Sequence, residues 1–252
     1  MPPITVSIIN ASTCVTDAES AALTAALQKQ VSNDFAPAWG IDATLVFVPT
    51  TEKPRPGTWW LSIQDNTDRA GVLGHHELTP DGLPMGHAFA GTDKRYGLKW
   101  TVTASHELLE MLADPDVNLT VFSHKDPTTH VLYSFEVCDP CEDDSFAYTI
   151  DGIEVCDFVY PAYFQTFRQT GSAQFDHLGK LTAPVPALLK GGYVNSFDIA
   201  NPTKAWQTVS AATVPHGPTD RSHLRDRFSS RRARRSKPRT EWKRSTAFLP
   251  QD

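Results

Sequence analysis

His106-Glu107-Leu108-Leu109-Glu110 puts three ionisable side chains within five residues. In a helix His106 and Glu110, four positions apart, leave the same face one turn apart. An imidazole nitrogen and a carboxylate oxygen so placed can grip one metal ion. Glu107 stands beside them, where it can take a proton from a metal-bound water. Without that chemistry the same residues are part of an ordinary amphipathic helix with a histidine and two glutamates in solvent. Five residues are also few enough for the pattern to arise by chance.

The elements around the motif must position it. Ala104, Leu108, Met111 and Leu112 recur at helical spacing and predict a buried stripe, with His106, Glu107 and Glu110 on the other side. Pro115 cannot continue a helix and biases Asp114 out of helical geometry, so the helix should stop near 113. Upstream, residues 4–9, 43–48 and 59–63 predict strands, the last after the Pro54-Arg55-Pro56-Gly57 turn. Thr16-Asp17 caps an alanine- and leucine-rich helical run to about Phe35. Residues 85–91 predict a short edge strand, with His87 in it, just before the helix.

This order resembles the upper half of the zincin metallopeptidases, over residues 4–115. In that superfamily the helix motif is HExxH, so Glu110 stands where the second histidine would be. The resemblance implies an α+β fold, a mixed twisted sheet with an edge strand over the active-site helix and a smaller irregular C-terminal part. It implies a metal-dependent hydrolase acting on a peptide or protein that pairs with the edge strand. A catalytic zinc takes three protein ligands and keeps one open position. The resemblance carries Glu136 to the third ligand and Asp139 to the residue orienting His106, with the swap, Asp139 as ligand, left open. Glu107 would be the general base. A set of one histidine and two carboxylates suits zinc, and also manganese or iron. The later stretch from Glu136-Val137-Cys138-Asp139 to Pro161-Ala162-Tyr163-Phe164 resembles bacterial and phage-borne proteins without an assigned activity.

Other side chains compete for these roles. His75 and His76 fall in a glycine-flanked loop, and His124 and His130 in a polar segment after the helix, so any of these or His87 could replace Glu136. The acidic stretch with Glu142, Asp143 and Asp144 could bind calcium or nothing. Tyr160, Tyr163 and His177 qualify as oxyanion stabilisers by type alone. Cys138-Asp-Pro-Cys141 is half of a structural zinc pattern. A hairpin turning at Asp151-Gly152 would carry Cys156 back, so a disulfide from Cys156 to Cys141 or Cys138 competes with buried free thiols.

A chain of 252 residues that is 40% hydrophobic can bury a sizeable core. No run of about eighteen apolar residues predicts a membrane span. No secretory leader is evident at Met1-Pro-Pro-Ile-Thr-Val, so the cytoplasm or a phage-type particle is the expected location. Residues 216–252 hold 11 basic and 4 acidic side chains, a formal +7, which leaves −13 on residues 1–215 and −6 overall. The expected division is therefore a hydrolase domain over 1–215, with halves at about 1–115 and 116–215, and a basic, disordered tail over 216–252. That tail could contact nucleic acid without sequence preference, or an acidic protein surface. Two further readings stand beside the hydrolase. One is a degenerate zincin fold with a structural or binding role, in a phage or secretion-type assembly. The other is a non-catalytic protein binding metal or nucleic acid.

Overall fold

A computed structural model describes residues 4–67, 72–126, 129–201, 203 and 206–211. The tail at 216–252 lies outside the described residues, as does the domain boundary expected at 215. Strand β1 (Ile4–Asn10) leads to Thr16, whose side chain and Glu19 close a reciprocal capping box. Helix α1 (Asp17–Lys29) then widens into a π-helical turn over Gln30–Phe35 and continues as α2 (Ala36–Trp39). It stops at Gly40, whose φ of 69° a side chain with a Cβ adopts reluctantly. Strands β2 (Ala43–Val48), β3 (Trp59–Gln64), β4 (Gly74–Leu78) and β5 (Pro84–Phe89) follow, then α3 (Ala90–Arg95) and α4 (Trp100–Ala113).

The first sheet has the order β2-β1-β3-β5-β4. Its first four members are mutually parallel, and β4 pairs antiparallel to β5 at the edge. Val6 and Ile8 of β1, Leu61 and Ile63 of β3, Leu23 and Leu27 of α1 and Leu108 and Leu109 of α4 are fully buried in one core. Truncating any of these leucines to alanine should cost about 2–5 kcal/mol. A second sheet, order β11-β10-β7-β6, combines β6 (Thr120–Asp126), β7 (Thr129–Ser134), β10 (Tyr193–Asp198) and β11 (Gln207–Ser210). The hairpin of β8 (Tyr148–Ile150) and β9 (Ile153–Val155) turns as expected at Asp151-Gly152, with positive φ at both residues. The chain is thus α+β with a mixed sheet.

Several expectations need correcting. The strand at 85–91 is not the edge: it is β5, between β3 and β4, and the edge is β4, where a loop was expected. Gly74-His-His-Glu-Leu78 lacks the β-branched residues that mark strands. It is held by its ladder with β5 rather than by propensity. The polar segment after α4 is likewise a strand pair, β6 and β7. Helix α4 does end at Ala113, but it is buried on every side.

Candidate metal centre

Helix α4 lies against the β3-β5-β4 side of the sheet at two glycines. A Cβ on Gly74 would sit 2.6 Å from Glu107 Oε1 and 2.8 Å from the His87 carbonyl, and one on Gly86 would sit 2.9 Å from Leu61 Cδ1. Those missing side chains make room for Glu107 under the strands. Residues 75, 76 and 77 alternate across β4, so His76 shares the α4 face with Gly74 while His75 and Glu77 take the other. From the far side, Glu136 and the 3₁₀ turn Asp139–Cys141 close on the helix. That turn is seated against Gly192, where a Cβ would fall 2.2 Å from the Pro140 carbonyl oxygen.

Six ionisable side chains meet there. His106 Nε2 is 3.1 Å from Glu110 Oε1 and 3.2 Å from Asp139 Oδ1. His76 Nδ1 is 3.5 Å from Glu107 Oε2 and 3.7 Å from Glu110 Oε2, and its Nε2 is 3.8 Å from Glu136 Oε2. Donors bound at about 2.1 Å to one tetrahedral ion stand about 3.4 Å apart, which is the scale of these separations. Two trios arise, His106-Glu110-Asp139 and His76-Glu110-Glu136, sharing Glu110 through its two different oxygens. All six residues are at most 5% exposed. Burial, with Asp139 close by and Glu136 adding to it, pushes the Glu110 carboxyl well above its usual range against the pull of His106. Four carboxylates against two imidazoles leave excess negative charge in a dry site, which protons or a cation must offset.

A second layer orients these donors. His106 Nδ1 faces the Cys156 sulfur at 3.9 Å, while Nε2 faces the carboxylates. If Nδ1 carries the proton, Nε2 presents its lone pair to an ion. Cys156 is fixed by its backbone N–H, which donates to Ser105 Oγ at 3.0 Å. Ser105 in turn donates to Gln30 Oε1 at 2.8 Å, and Gln30 Nε2 donates back to the Cys156 carbonyl at 2.9 Å. Gln30 opens the π-helical turn, so that irregularity feeds directly into the support of His106. The backbone N–H of Cys138 donates to Glu110 Oε1 at 3.3 Å.

The residues expected at the ion lie together. Asp139, expected as the residue orienting His106 or, in the swap, as the third ligand, lies beside its Nε2, and Glu136 lies beside His76 across Glu110. His76 joins the cluster, a residue whose strand placement the sequence concealed. His75 and His87 lie on the other face of the hairpin, and His130 stacks on Phe122 in the second sheet. The side chain of His124 lies outside the described residues. Tyr163 donates to the Ala187 carbonyl at 2.8 Å, and Tyr160 and His177 contact each other, so none of the three is turned to the cluster. The disulfide weighed for Cys156 with Cys141 or Cys138 is absent: all four cysteines are free thiols. The Cys156 sulfur is turned towards His106 and Cys138, and burial pushes the Cys138 and Cys141 thiols well above their usual range.

No family model, curated protein or solved structure matches the chain. Among the described residues no helix is long and apolar enough to cross a membrane.

Proposed function

We propose that the chain is a metal-dependent hydrolase of the zincin type, acting on a peptide or protein, with His106, Glu110 and Asp139 as the metal ligands. The observation that carries this reading is the position of His106 Nε2, 3.1 Å from Glu110 and 3.2 Å from Asp139 inside the core. The donor set fits a divalent transition ion: zinc first, with manganese or iron favoured by its carboxylates. When bound, such an ion supplies Lewis acidity towards a carbonyl oxygen. Glu107, one residue along from His106 and held by His76, accepts the proton of the attacking water and returns it to the leaving nitrogen. The outer edge of β4 pairs with no other strand among the described residues, and it is the side on which an extended peptide would add. An antiparallel edge strand beside the motif helix supports the zincin comparison.

The depth of the cluster favours a second reading. With every member at most 5% exposed, the same ion would close the core of a catalytically degenerate zincin fold in a structural or binding role, with the basic tail contacting nucleic acid or an acidic partner. Metal analysis and peptide hydrolysis on one set of variants separate the two. A tightly held ion at this centre, lost in His106→Ala and Glu110→Ala but kept in Glu107→Gln, is expected under both. Hydrolysis by the wild type, abolished in Glu107→Gln, is expected only for the enzyme. If no transition metal copurifies and none binds on addition, both readings fail.

A further inference from the structure

The other face of the β4–β5 hairpin holds a separate group of donors that the helix centre does not use. His75 and Glu77 are two residues apart on β4 and so project to the same side, away from α4. His87 on β5 is the register partner of His75. Glu77 Oε1 lies 3.7 Å from His75 Nε2 and 3.5 Å from His87 Nε2, and one donor atom from each of the three falls within 4.8 Å of the others. The imidazoles stack, with centroids 4.6 Å apart and planes 23° from parallel. All three residues are buried, and His87 Nε2, facing Glu77, makes no hydrogen bond.

We infer that His75, Glu77 and His87 form a second metal site, for a zinc-type divalent cation that ties the edge strand β4 to its neighbour β5. Two imidazole nitrogens and one carboxylate oxygen are a zinc donor set, and they leave one position of a tetrahedral ion for water. The support for His87 is already in place. Gln64 Nε2 lies 3.0 Å from His87 Nδ1 and 3.1 Å from Ser62 Oγ. A half-turn of that amide, whose two ends are nearly isosteric, puts Oε1 in the same place. It then accepts from His87 Nδ1–H and from the Ser62 hydroxyl, and Nε2 is left with its lone pair towards Glu77. A cross-strand clip has a mechanical use here, because β4 is five residues long and pairs on one side only among the described residues. The site is independent of the helix centre. His76 lies between them in sequence but faces α4.

The test uses the full chain, stripped with a chelator, dialysed against zinc and measured for bound metal per protein. The wild type should hold two equivalents, Glu77→Gln and His87→Gln one each, and His106→Ala one. Glu77→Gln and His87→Gln binding as much zinc as the wild type would overturn the proposal, whatever His106→Ala does. Loss in Glu77→Gln with none in His106→Ala would uphold it and sink the helix centre instead. Should the variants lose their circular dichroism, wild-type histidine ring ¹⁵N spectra decide. Zinc should convert His87 to the tautomer protonated at Nδ1, and unchanged His75 and His87 ring signals at saturating zinc would overturn the site.

Discussion

Replacing Glu110 by glutamine separates a metal ligand from a structural ion pair by the sign of two measurements. Glutamine keeps the shape of the side chain and its contact with the Cys138 N–H, but it removes the charge that would hold an ion. Suppose the contact of Glu110 with His106, 3.1 Å long and fully buried, exists to stabilise the fold. Removing one partner of a buried pair then costs about 3–5 kcal/mol. At roughly 2–4 °C per kcal/mol for a domain of this size, chelator-treated Glu110→Gln should melt some 6–20 °C below the wild type. The ligand reading predicts otherwise. Without metal, Glu110 is already pushed towards its neutral form by burial and by Asp139 and Glu136, so an isosteric amide removes a repulsion and the metal-free melting temperature is unchanged or higher. Zinc at a hundredfold over its dissociation constant adds about 2.7 kcal/mol to the wild type, a rise of roughly 5–11 °C, and adds nothing through this site in Glu110→Gln. Both arms are read by scanning fluorimetry with chelator and with zinc, in a background carrying Glu77→Gln. A large metal-free loss in Glu110→Gln, together with an undiminished zinc shift, would refute the assignment.

Asp139→Asn should lower zinc affinity at the helix centre at least tenfold, and more than Glu136→Gln does, because Asp139 alone of the two stands beside His106 Nε2; competition with a chromophoric chelator measures it, and the reverse ranking would restore Glu136 as third ligand. Ser105→Ala leaves the buried Cys156 N–H and the Gln30 side-chain Oε1 without their partner and should destabilise the protein by about 1–3 kcal/mol in urea unfolding, with metal binding weakened through the lost support of His106. Gly74→Ala drives a methyl into Glu107 and the His87 carbonyl and should abolish hydrolysis while the helix centre keeps its metal. Burial and the neighbouring Asp176 push the Asp157 carboxyl up to about 9, so the folded state holds a proton that the unfolded chain has released. Stability from this group is present in acid and lost as pH rises towards 9, by at most about 1.4 kcal/mol per pH unit, and Asp157→Asn should flatten that decline in unfolding measured from pH 5 to 9.

The parts of the fold that were legible in the sequence are those where local chemistry and tertiary packing agree. Thr16 caps its helix, Pro115 ends the motif helix and Asp151-Gly152 turns its hairpin because each acts on backbone within a few residues of itself. The hairpin β4–β5 was legible only in part because local propensity does not mark β4 as a strand; its ladder with β5 holds it in place. An alternating strand should show apolar side chains on one face, whereas Gly74-His75-His76-Glu77 puts polar groups on both. The same composition that hid the strand is what gives each face a set of donors. Glu136 and Asp139 were both foreseen as partners of the motif, but their order around His106 depends on how Gly192 admits the Pro140 carbonyl, a contact between segments fifty residues apart.

The two sets of donors differ in what they ask of an ion. The helix centre gathers four carboxylates around two imidazoles, so its affinity comes largely from charge, and a harder ion such as manganese satisfies it. The strand group has two imidazoles for one carboxylate, and a single protonated histidine already makes it neutral. There a metal must displace a proton rather than answer an excess of charge. Affinity should therefore fall more steeply in acid at the strand group, and should follow the nitrogen-favouring order that puts zinc far above manganese. Manganese added to stripped protein should fill the helix centre and leave the strand group empty, and the first equivalent of zinc should then enter the strand group before any manganese is released. If one ion displaced the other at a single stoichiometric site, the two faces of the hairpin would not be separate centres.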